Sequence, residues 1–259
     1  MHHIARRISI LPILAVLVGA LPARAHDAGP PIMKTALGKR FNVEVYFEKY
    51  QRDIEQEFAS GTDTAEQEED RLLARLTFAP ADFASLYLEG GATDSKDSEG
   101  EAPLFGGGVR LRAYSTPAVQ VDVFGSVTYV DGIEYHVDGF VEPETAGSFT
   151  VDHPDLDQTE SYYEYEGGIL LSHVFQAGPK WTVTPYGGFL FSVLDGDEEY
   201  DLTPHVPIPP FTIEGDLKEN GNFILAAGLL GTLNKTFGLR LEGRFVDEQS
   251  VSAGVSYFF

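Results

Sequence analysis

The feature that most constrains this chain is a series of ten segments in which apolar side chains occupy every second position. In the first of them Phe41, Val43, Val45 and Phe47 share one parity, and Glu44 lies on the other. A period of two is typical of β-strands, because successive side chains point to opposite faces of a sheet. We predict strands at 41–50, 70–79, 84–93, 104–114, 119–130, 161–175, 181–194, 222–233, 237–246 and 250–259. No charged residue interrupts the middle of the apolar face.

The connections between these segments alternate between short and long. The short ones are 79–83, 115–118, 176–180 and 234–236, and the long ones are 53–68, 94–103, 131–160 and 195–219, with a smaller fifth at 247–249. Transmembrane barrels have short turns on one side and long loops on the other, and each strand needs about 10 residues to cross a bilayer. We therefore predict an all-β fold, a closed antiparallel transmembrane β-barrel of ten strands, with eight as the alternative. A soluble β-sandwich with the apolar face as its core is the competing interpretation.

The N-terminal region has the pattern of a secretory signal peptide. Arg6 and Arg7 precede an apolar run from Ile8 to Leu21, and Ala23-Arg24-Ala25 supplies a small-residue cleavage site. We expect residues 1–25 to be cleaved, 26–39 to form a periplasmic lead-in, and 40–259 to form the barrel. The chain contains no cysteine, which excludes disulfides and thiolate metal sites. No apolar stretch after the signal peptide has the length of a spanning helix, so any insertion into a membrane must use strands.

The chain is strongly acidic, with a formal net charge of −22 at pH 7. Such a balance argues against binding to nucleic acid, which requires neutralisation of phosphates. Most of the acidic residues fall in the long connections, where Lys96 and Lys218 are the only lysines. Two pieces of these connections, "IEYHVDGFV" and "FTIEG", have strand character, and we expect them to continue as hairpins above the bilayer.

The charges within the predicted strands share the face opposite the apolar one. They are Glu44, Glu48, Arg71, Arg75, Glu89, Arg110, Arg112, Asp122, Glu164, Glu166, Arg240, Glu242 and Arg244. In a barrel this face lines the lumen, where buried charges need partners of opposite sign. We expect carboxylates and arginines to pair across the lumen as a polar plug. The expected pairs include Arg110 and Arg112 with Asp122, and Arg240 and Arg244 with Glu242. A narrow ion or solute path lined by the same charges is the functional alternative, and a wide pore does not fit a barrel of this size.

Three short stretches resemble a known family. The C-terminal "SAGVSYFF" places Ser252, Gly254, Tyr257 and Phe259 as in the insertion signal that the barrel-assembly machinery reads. "TPYGGFLF" and "GLRLEGRF" are similar to strands of porin-like barrels in the outer membrane protein β-barrel domain family. The resemblance implies a protein of the outer membrane of a Gram-negative-type cell, in contact with lipid and lipopolysaccharide. It implies no activity, and it departs from the pattern in strand number, since many members have eight.

One acidic run in the last long loop is a weak candidate for a divalent cation. "DGDEEYD" supplies Asp195, Asp197, Glu198, Glu199 and Asp201, whose hard oxygens suit Ca²⁺ or Mg²⁺. The run lacks the glycine and the terminal glutamate of an EF-hand loop. A solvated acidic loop without a specific metal is the simpler interpretation, and we predict no cofactor.

A hydrolytic site at the extracellular lip is the alternative from another functional class. Omptin-like proteases are ten-stranded and use aspartate and histidine there, and a neutral histidine beside a carboxylate can serve as a general base. The candidate groups are Asp152, His153, Asp155 and Asp157; Glu134, His136 and Asp138; and Asp201 with His205. His173 falls on the lipid-facing parity near the periplasm, without visible partners. We predict a non-catalytic, monomeric, small porin-like or structural surface barrel, with the lip-sited hydrolase as the alternative.

Overall fold

The computed structural model describes residues 40–58, 61–96, 98–138, 140–143, 150–204, 209–218 and 222–259. The expected signal peptide and the lead-in at 26–39 lie outside these residues. The described residues form fourteen strands: β1 (Phe41–Phe58), β2 (Gly61–Ala81), β3 (Ala84–Ser95), β4 (Glu101–Ser115), β5 (Val119–Val137), β6 (Phe140–Pro143), β7 (Thr150–His153), β8 (Asp155–His173), β9 (Phe175–Gln176), β10 (Trp181–Thr203), β11 (Phe211–Lys218), β12 (Asn222–Leu233), β13 (Phe237–Val246) and β14 (Glu248–Phe258). Across the described residues, no helix has the length and apolar character needed to cross a membrane.

Ten of these strands form a closed antiparallel ring. Its order is β1-β14-β13-β12-β10-β8-β5-β4-β3-β2, and β2 pairs again with β1. The first and last strands meet in a continuous register from Asn42 opposite Phe258 to Arg52 opposite Glu248. Closure leaves the ring without an unpaired edge, which a structure in hydrocarbon requires because no water is present to satisfy backbone groups. The ten-strand prediction is confirmed, and the eight-strand alternative is wrong.

The apolar residues face outward from this ring. Leu88 is 70% exposed, Phe105 59% and Leu239 59%, whereas the opposite parity is buried inside. A soluble sandwich would bury these side chains in a core, so that interpretation is wrong. Aromatic rings mark both rims of the apolar band: Phe41 stacks on Phe259 at one end, and Tyr129 stacks on Tyr163 at the other, with centroids 5.6 and 4.6 Å apart. Such girdles are typical of transmembrane barrels.

Several strands continue well beyond the apolar band, which corrects the predicted loop boundaries. β1 and β2 are paired up to Phe58 and Gly61, so most of the predicted loop 53–68 is a hairpin. β5, β8 and β10 likewise run for 19, 19 and 23 residues. The hairpins expected from "IEYHVDGFV" and "FTIEG" are present, since the first contributes the end of β5 and part of β6 and the second lies in β11. We call this paired region beyond the band the extracellular extension.

β11 closes the wall of the extracellular extension. It pairs with β10 from Asp195 to Leu202 and with β1 from Glu55 to Glu57. On β10 it begins three residues beyond Ser192, where the pairing with β12 ends. β11 therefore occupies, above the band, the place that β12, β13 and β14 fill within it.

Candidate functional site

The predicted lumen charges all lie inside the ring. Twelve of the thirteen residues are 0–6% exposed, and the thirteenth, Arg112, is partly exposed as a residue although its side chain is only 4% exposed. This placement follows from the alternation of side chains along a strand. The apolar neighbours of each charged residue point outward, so the charged side chain points inward. The set is Glu44, Glu48, Arg71, Arg75, Glu89, Arg110, Arg112, Asp122, Glu164, Glu166, Arg240, Glu242 and Arg244.

The charges form three ion-pair groups on different parts of the wall. In the first, Arg71 Nε lies 2.8 Å from Glu69 Oε2, and Arg71 Nη1 lies 3.5 Å from Glu164 Oε2 and 3.9 Å from Glu48 Oε2. The guanidinium also lies over the ring of Tyr50, 3.9 Å from its centroid. Such a geometry combines charge-assisted hydrogen bonds with a cation–π contact.

The second group joins the two ends of the chain. Arg240 Nε donates to Glu44 Oε1 at 2.7 Å, which links β13 to β1 across the closing strand. Arg244 pairs with Glu166, with Glu242 at 3.3 Å and with Glu248 at 3.2 Å. The expected pairing of Arg240 and Arg244 with Glu242 is therefore present in the structure, together with acids that the expectation did not include.

The third group lies toward the periplasmic side of β2 to β5. Arg75 Nη2 lies 2.7 Å from Glu89 Oε2, and Tyr46 donates its hydroxyl to the same oxygen at 2.9 Å. Arg112 Nε lies 3.5 Å from Asp122 Oδ1, as expected from their facing positions. The guanidinium of Arg110 packs over the ring of Phe124, 5.3 Å from its centroid.

Sequence reasoning missed several lumen charges. Arg52, Glu69 and Glu248 are 0–2% exposed and belong to the ion-pair groups, but they fall in segments predicted as loops or strand ends. Their parity could have revealed them. Glu69 lies two residues from Arg71, and Glu248 lies two residues from Ser250, so each shares the inward face of its strand.

Packed side chains close the lumen. Among the largest fully buried side chains are Arg52, Arg71, Arg244, Tyr46 and Tyr50. An apolar cluster also fills the interior, and its members are Tyr46, Ile54, Leu73, Ala102, Leu104, Val130, Ile133, Tyr162, Leu194 and Leu217. Side chains that lined a water-filled path would be exposed to it, so the near-zero exposure of these residues describes a filled interior.

The residues of the C-terminal motif hold the closing strand in place. Ser252 accepts a hydrogen bond from Arg240 Nη1 at 3.0 Å. Gly254 faces inward, where an added Cβ would lie 2.7 Å from Glu44 Oε1 and 2.9 Å from Tyr46 Cβ. Tyr257 and Phe259 face outward and stack on each other, with ring centroids 6.0 Å apart. The motif thus has a structural role at the seam between β14 and β1, whatever reads it during insertion.

The candidate metal ligands do not lie in a loop. Asp195, Asp197, Glu199 and Asp201 are alternate residues of β10 and share its outward face, whereas Glu198 faces inward. Alternate residues of a strand are about 6.6 Å apart, so these carboxylates do not converge on one ion. Within the described part of the chain, no group of three or more His, Cys, Asp or Glu side chains could hold a metal ion.

One of the candidate catalytic histidines is held between two acids. His136 Nδ1 lies 2.5 Å from Asp157 Oδ1, and Nε2 lies 3.1 Å from Asp138 Oδ1. These hydrogen bonds raise the pKa of His136 to about 9, and the bond to Asp157 has the larger effect. The group is on the outer side of the wall, because its partner Asp157 has the outward parity of β8. His205 and the side chain of His153 lie outside the described residues, and His173 packs on Phe175 at 4.2 Å between ring centroids.

Comparison with known proteins supports the fold. No family model matches the chain, and no curated protein matches its sequence. The outer membrane protease OmpT from Escherichia coli is similar in structure, with a TM-score of 0.52 and 10% identity over 90% of this chain and 99% of that one. The translocator domain of the autotransporter NalP from Neisseria meningitidis has a TM-score of 0.44, with 11% identity over 86% of this chain and 89% of that one. Ail from Yersinia pestis has a TM-score of 0.30, with 10% identity over 85% and 97%.

Proposed function

We propose, from the premise that this chain is a ten-stranded outer-membrane β-barrel by fold, that it is a non-catalytic surface protein with a closed lumen. The barrel would serve as a membrane anchor, and the extracellular extension would be the part that meets the outside. The observation that carries this proposal is the burial of the lumen charges, with Glu44, Glu48, Arg71 and Arg244 at 0% exposure. A porin needs the same positions to be hydrated.

Energetics support the same conclusion. An unpaired charge inside a low-dielectric wall costs several kcal/mol, and pairing offsets this only with good geometry and added hydrogen bonds. Arg71 meets that condition through Glu69, Glu164, the hydroxyl of Tyr162 at 3.0 Å and the ring of Tyr50. A guanidinium with this many partners favours a rigid plug over a path that must exchange ions.

The proposed partners follow from the two ends of the barrel. The outward apolar band would contact lipid, and the acidic extracellular extension would face the phosphates of lipopolysaccharide. Like charges there repel, so divalent cations would bridge them without a fixed site in the protein. The barrel-assembly machinery would act once, at insertion, through the motif that ends at Phe259.

Planar-bilayer recording of the refolded protein tests the closed lumen. We expect no resolvable current for the wild type, because packed side chains block its cross-section. The variant Arg52→Ala/Arg71→Ala/Tyr50→Ala removes three of the largest buried side chains and should raise conductance, which would show that the silence of the wild type reflects the plug and not failed insertion. A steady, salt-dependent current from the wild type would overturn the proposal in favour of a narrow channel.

A hydrolase is the second candidate, favoured by the likeness to a protease fold and by the aspartates that hold His136. Against it, an imidazole with a pKa near 9 is protonated at neutral pH and cannot accept a proton from water. Incubation of the refolded protein with a mixed peptide library tests the candidate. Cleavage by the wild type that is lost in His136→Asn would establish it, and no cleavage at any pH between 5 and 10 would remove it.

A further inference from the structure

The extracellular extension has a concave inner face on β5, β8, β10 and β11, which we call the mouth recess. Its inward side chains lie in register, as four rows that cross the four strands. From the outside inward the rows are Val137, Leu156, Leu202 and Phe211; Tyr135, Gln158, Tyr200 and Ile213; Ile133, Glu160, Glu198 and Gly215; and Val130, Tyr162, Gly196 and Leu217. On all four strands, the first and third rows are four residues apart, or about 13 Å.

The rows of the mouth recess become more buried from the outside inward. In the outer row Val137 is 57% exposed and Phe211 47%, although both have the inward parity. Glu160 and Glu198 are 4% and 2% exposed, and Leu217 in the innermost row is 0%. A ligand that entered from outside would pass apolar side chains first and end at the two acids.

Glu160 and Glu198 lie directly opposite each other on neighbouring strands. Gln158 Nε2 donates to Glu160 Oε1 at 2.6 Å, and Gln56 Nε2 and the Tyr200 hydroxyl donate to Glu198 Oε2 at 3.0 and 2.9 Å. Glu198 Oε1 is buried and has no hydrogen-bond partner. Among the described residues, no arginine or lysine forms an ion pair with either carboxyl, in contrast to the lumen acids below them.

The environment of the pair disfavours two negative charges. Burial, followed by the nearby carboxylates of Glu198 and Glu69, raises the pKa of Glu160 to about 8, and burial raises the pKa of Glu198. The other titratable groups that face the pair are Tyr135 from β5 and Tyr200 from β10, and Glu69 from β2 is itself paired with Arg71. A cation between the two carboxyls would remove the repulsion that protons otherwise relieve.

We propose that the mouth recess binds an organic ammonium ion that carries an apolar tail. The nitrogen would lie between Glu160 and Glu198, donating to the partnerless oxygen of Glu198, and the tail would lie along the outer row toward Phe211. An ammonium group needs only a few acceptors. A divalent metal takes six or more oxygen ligands, so beside the two carboxyls it would have to keep a shell of water. The exposed apolar rim also suits a tail and not a hydrated ion.

This proposal is independent of whether the lumen conducts, because the acid pair lies on the extracellular side of the lumen charges, and Val130, Tyr162 and Leu217 of the innermost row belong to the apolar cluster. It also predicts competition with protons. Since an ammonium ion and a proton neutralise the same pair, binding displaces protons, and the affinity rises as pH increases from 6 to 9.

Calorimetric titration of the full chain in lipid nanodiscs, with hexylammonium chloride as the probe, tests the proposal. At pH 8.5 we expect saturable binding, with proton release detected by comparing buffers of different ionisation enthalpy. Glu160→Gln/Glu198→Gln should weaken binding at least tenfold. Asp197→Asn/Glu199→Gln removes the same charge from the outward face of the same strand and should change the affinity by less than twofold.

Three results would overturn the proposal. Equal weakening in both double variants would assign binding to the general negative field of the extracellular extension. Equal binding of neutral hexanol would assign it to the apolar rim alone. Absence of saturable binding to the wild type at pH 8.5 would show that the pair binds protons only. If the double variant lacks the heat-modifiable band of a folded barrel on gels, Glu198→Gln alone replaces it and should weaken binding at least fivefold.

Discussion

At the scale of single residues, the buried arginines are the side chains on which the interior depends. Removing one partner of a buried ion pair leaves an uncompensated charge, and this costs about 3–5 kcal/mol. We expect Arg71→Met to destabilise the barrel by about that amount, because Glu69, Glu48 and Glu164 lose their shared cation. Urea unfolding in lipid vesicles measures the change.

Lys49→Met is the matched control for Arg71→Met. Lys49 lies 3.5 Å from Asp70 on the outside of the same pair of strands, and both side chains are about half exposed. Exposed pairs contribute about 0–1 kcal/mol. Similar losses in the two variants would contradict the role assigned to the lumen network.

His136 supplies a second prediction at this scale. The pKa of His136 is raised to about 9 in the folded protein. The stability that its contacts with Asp157 and Asp138 contribute is therefore fully present below the ordinary histidine pKa and is lost as pH rises through 9. Asp157→Asn should lower the pKa of His136 toward the ordinary value. Titration of the imidazole resonances by NMR measures this. An unchanged midpoint would mean that the contact with Asp157 does not form.

At the scale of elements, the faces of the strands could be predicted from the sequence and their ends could not. The apolar parity of β1 stops near Phe47, but pairing with β2 continues to Phe58. Within the bilayer, lipid demands apolar side chains on one face, which makes the period visible. In the extracellular extension both faces carry polar residues, and the same period loses its contrast. The acid pair Glu160 and Glu198 was hidden for this reason, inside stretches predicted as loops.

The turn between β12 and β13 gives a prediction for one element. Asn234 and Lys235 have φ values of 50° and 59°, as the tight hairpin turns that fit strand twist require. Asparagine tolerates this region, whereas lysine is strained there by about 1 kcal/mol. We expect Lys235→Gly to raise the unfolding free energy by about that amount. Lys235→Ala should give no gain, and equal stabilisation by alanine would show that removal of the charge, not the backbone, is responsible.

At the scale of the whole molecule, the ring is apolar outside and ionic inside, the reverse of a soluble domain. We therefore expect the protein to refold only with detergent or lipid, and to show a slower-migrating, heat-denatured band on gels. Light scattering after removal of detergent measures the outcome. A folded, monodisperse monomer in plain buffer would contradict the orientation of both faces, since exposed apolar surface of this extent aggregates in water.

β11 makes the barrel wall harder to open above the apolar band than within it. It pairs with both β1 and β10, directly above the shorter strands β12, β13 and β14. If β1 and β14 separated, a lateral opening toward the lipid would form within the band, while β11 remained paired with β1 and β10 above it. Sideways access to the interior and access from the cell exterior are therefore governed by different strands.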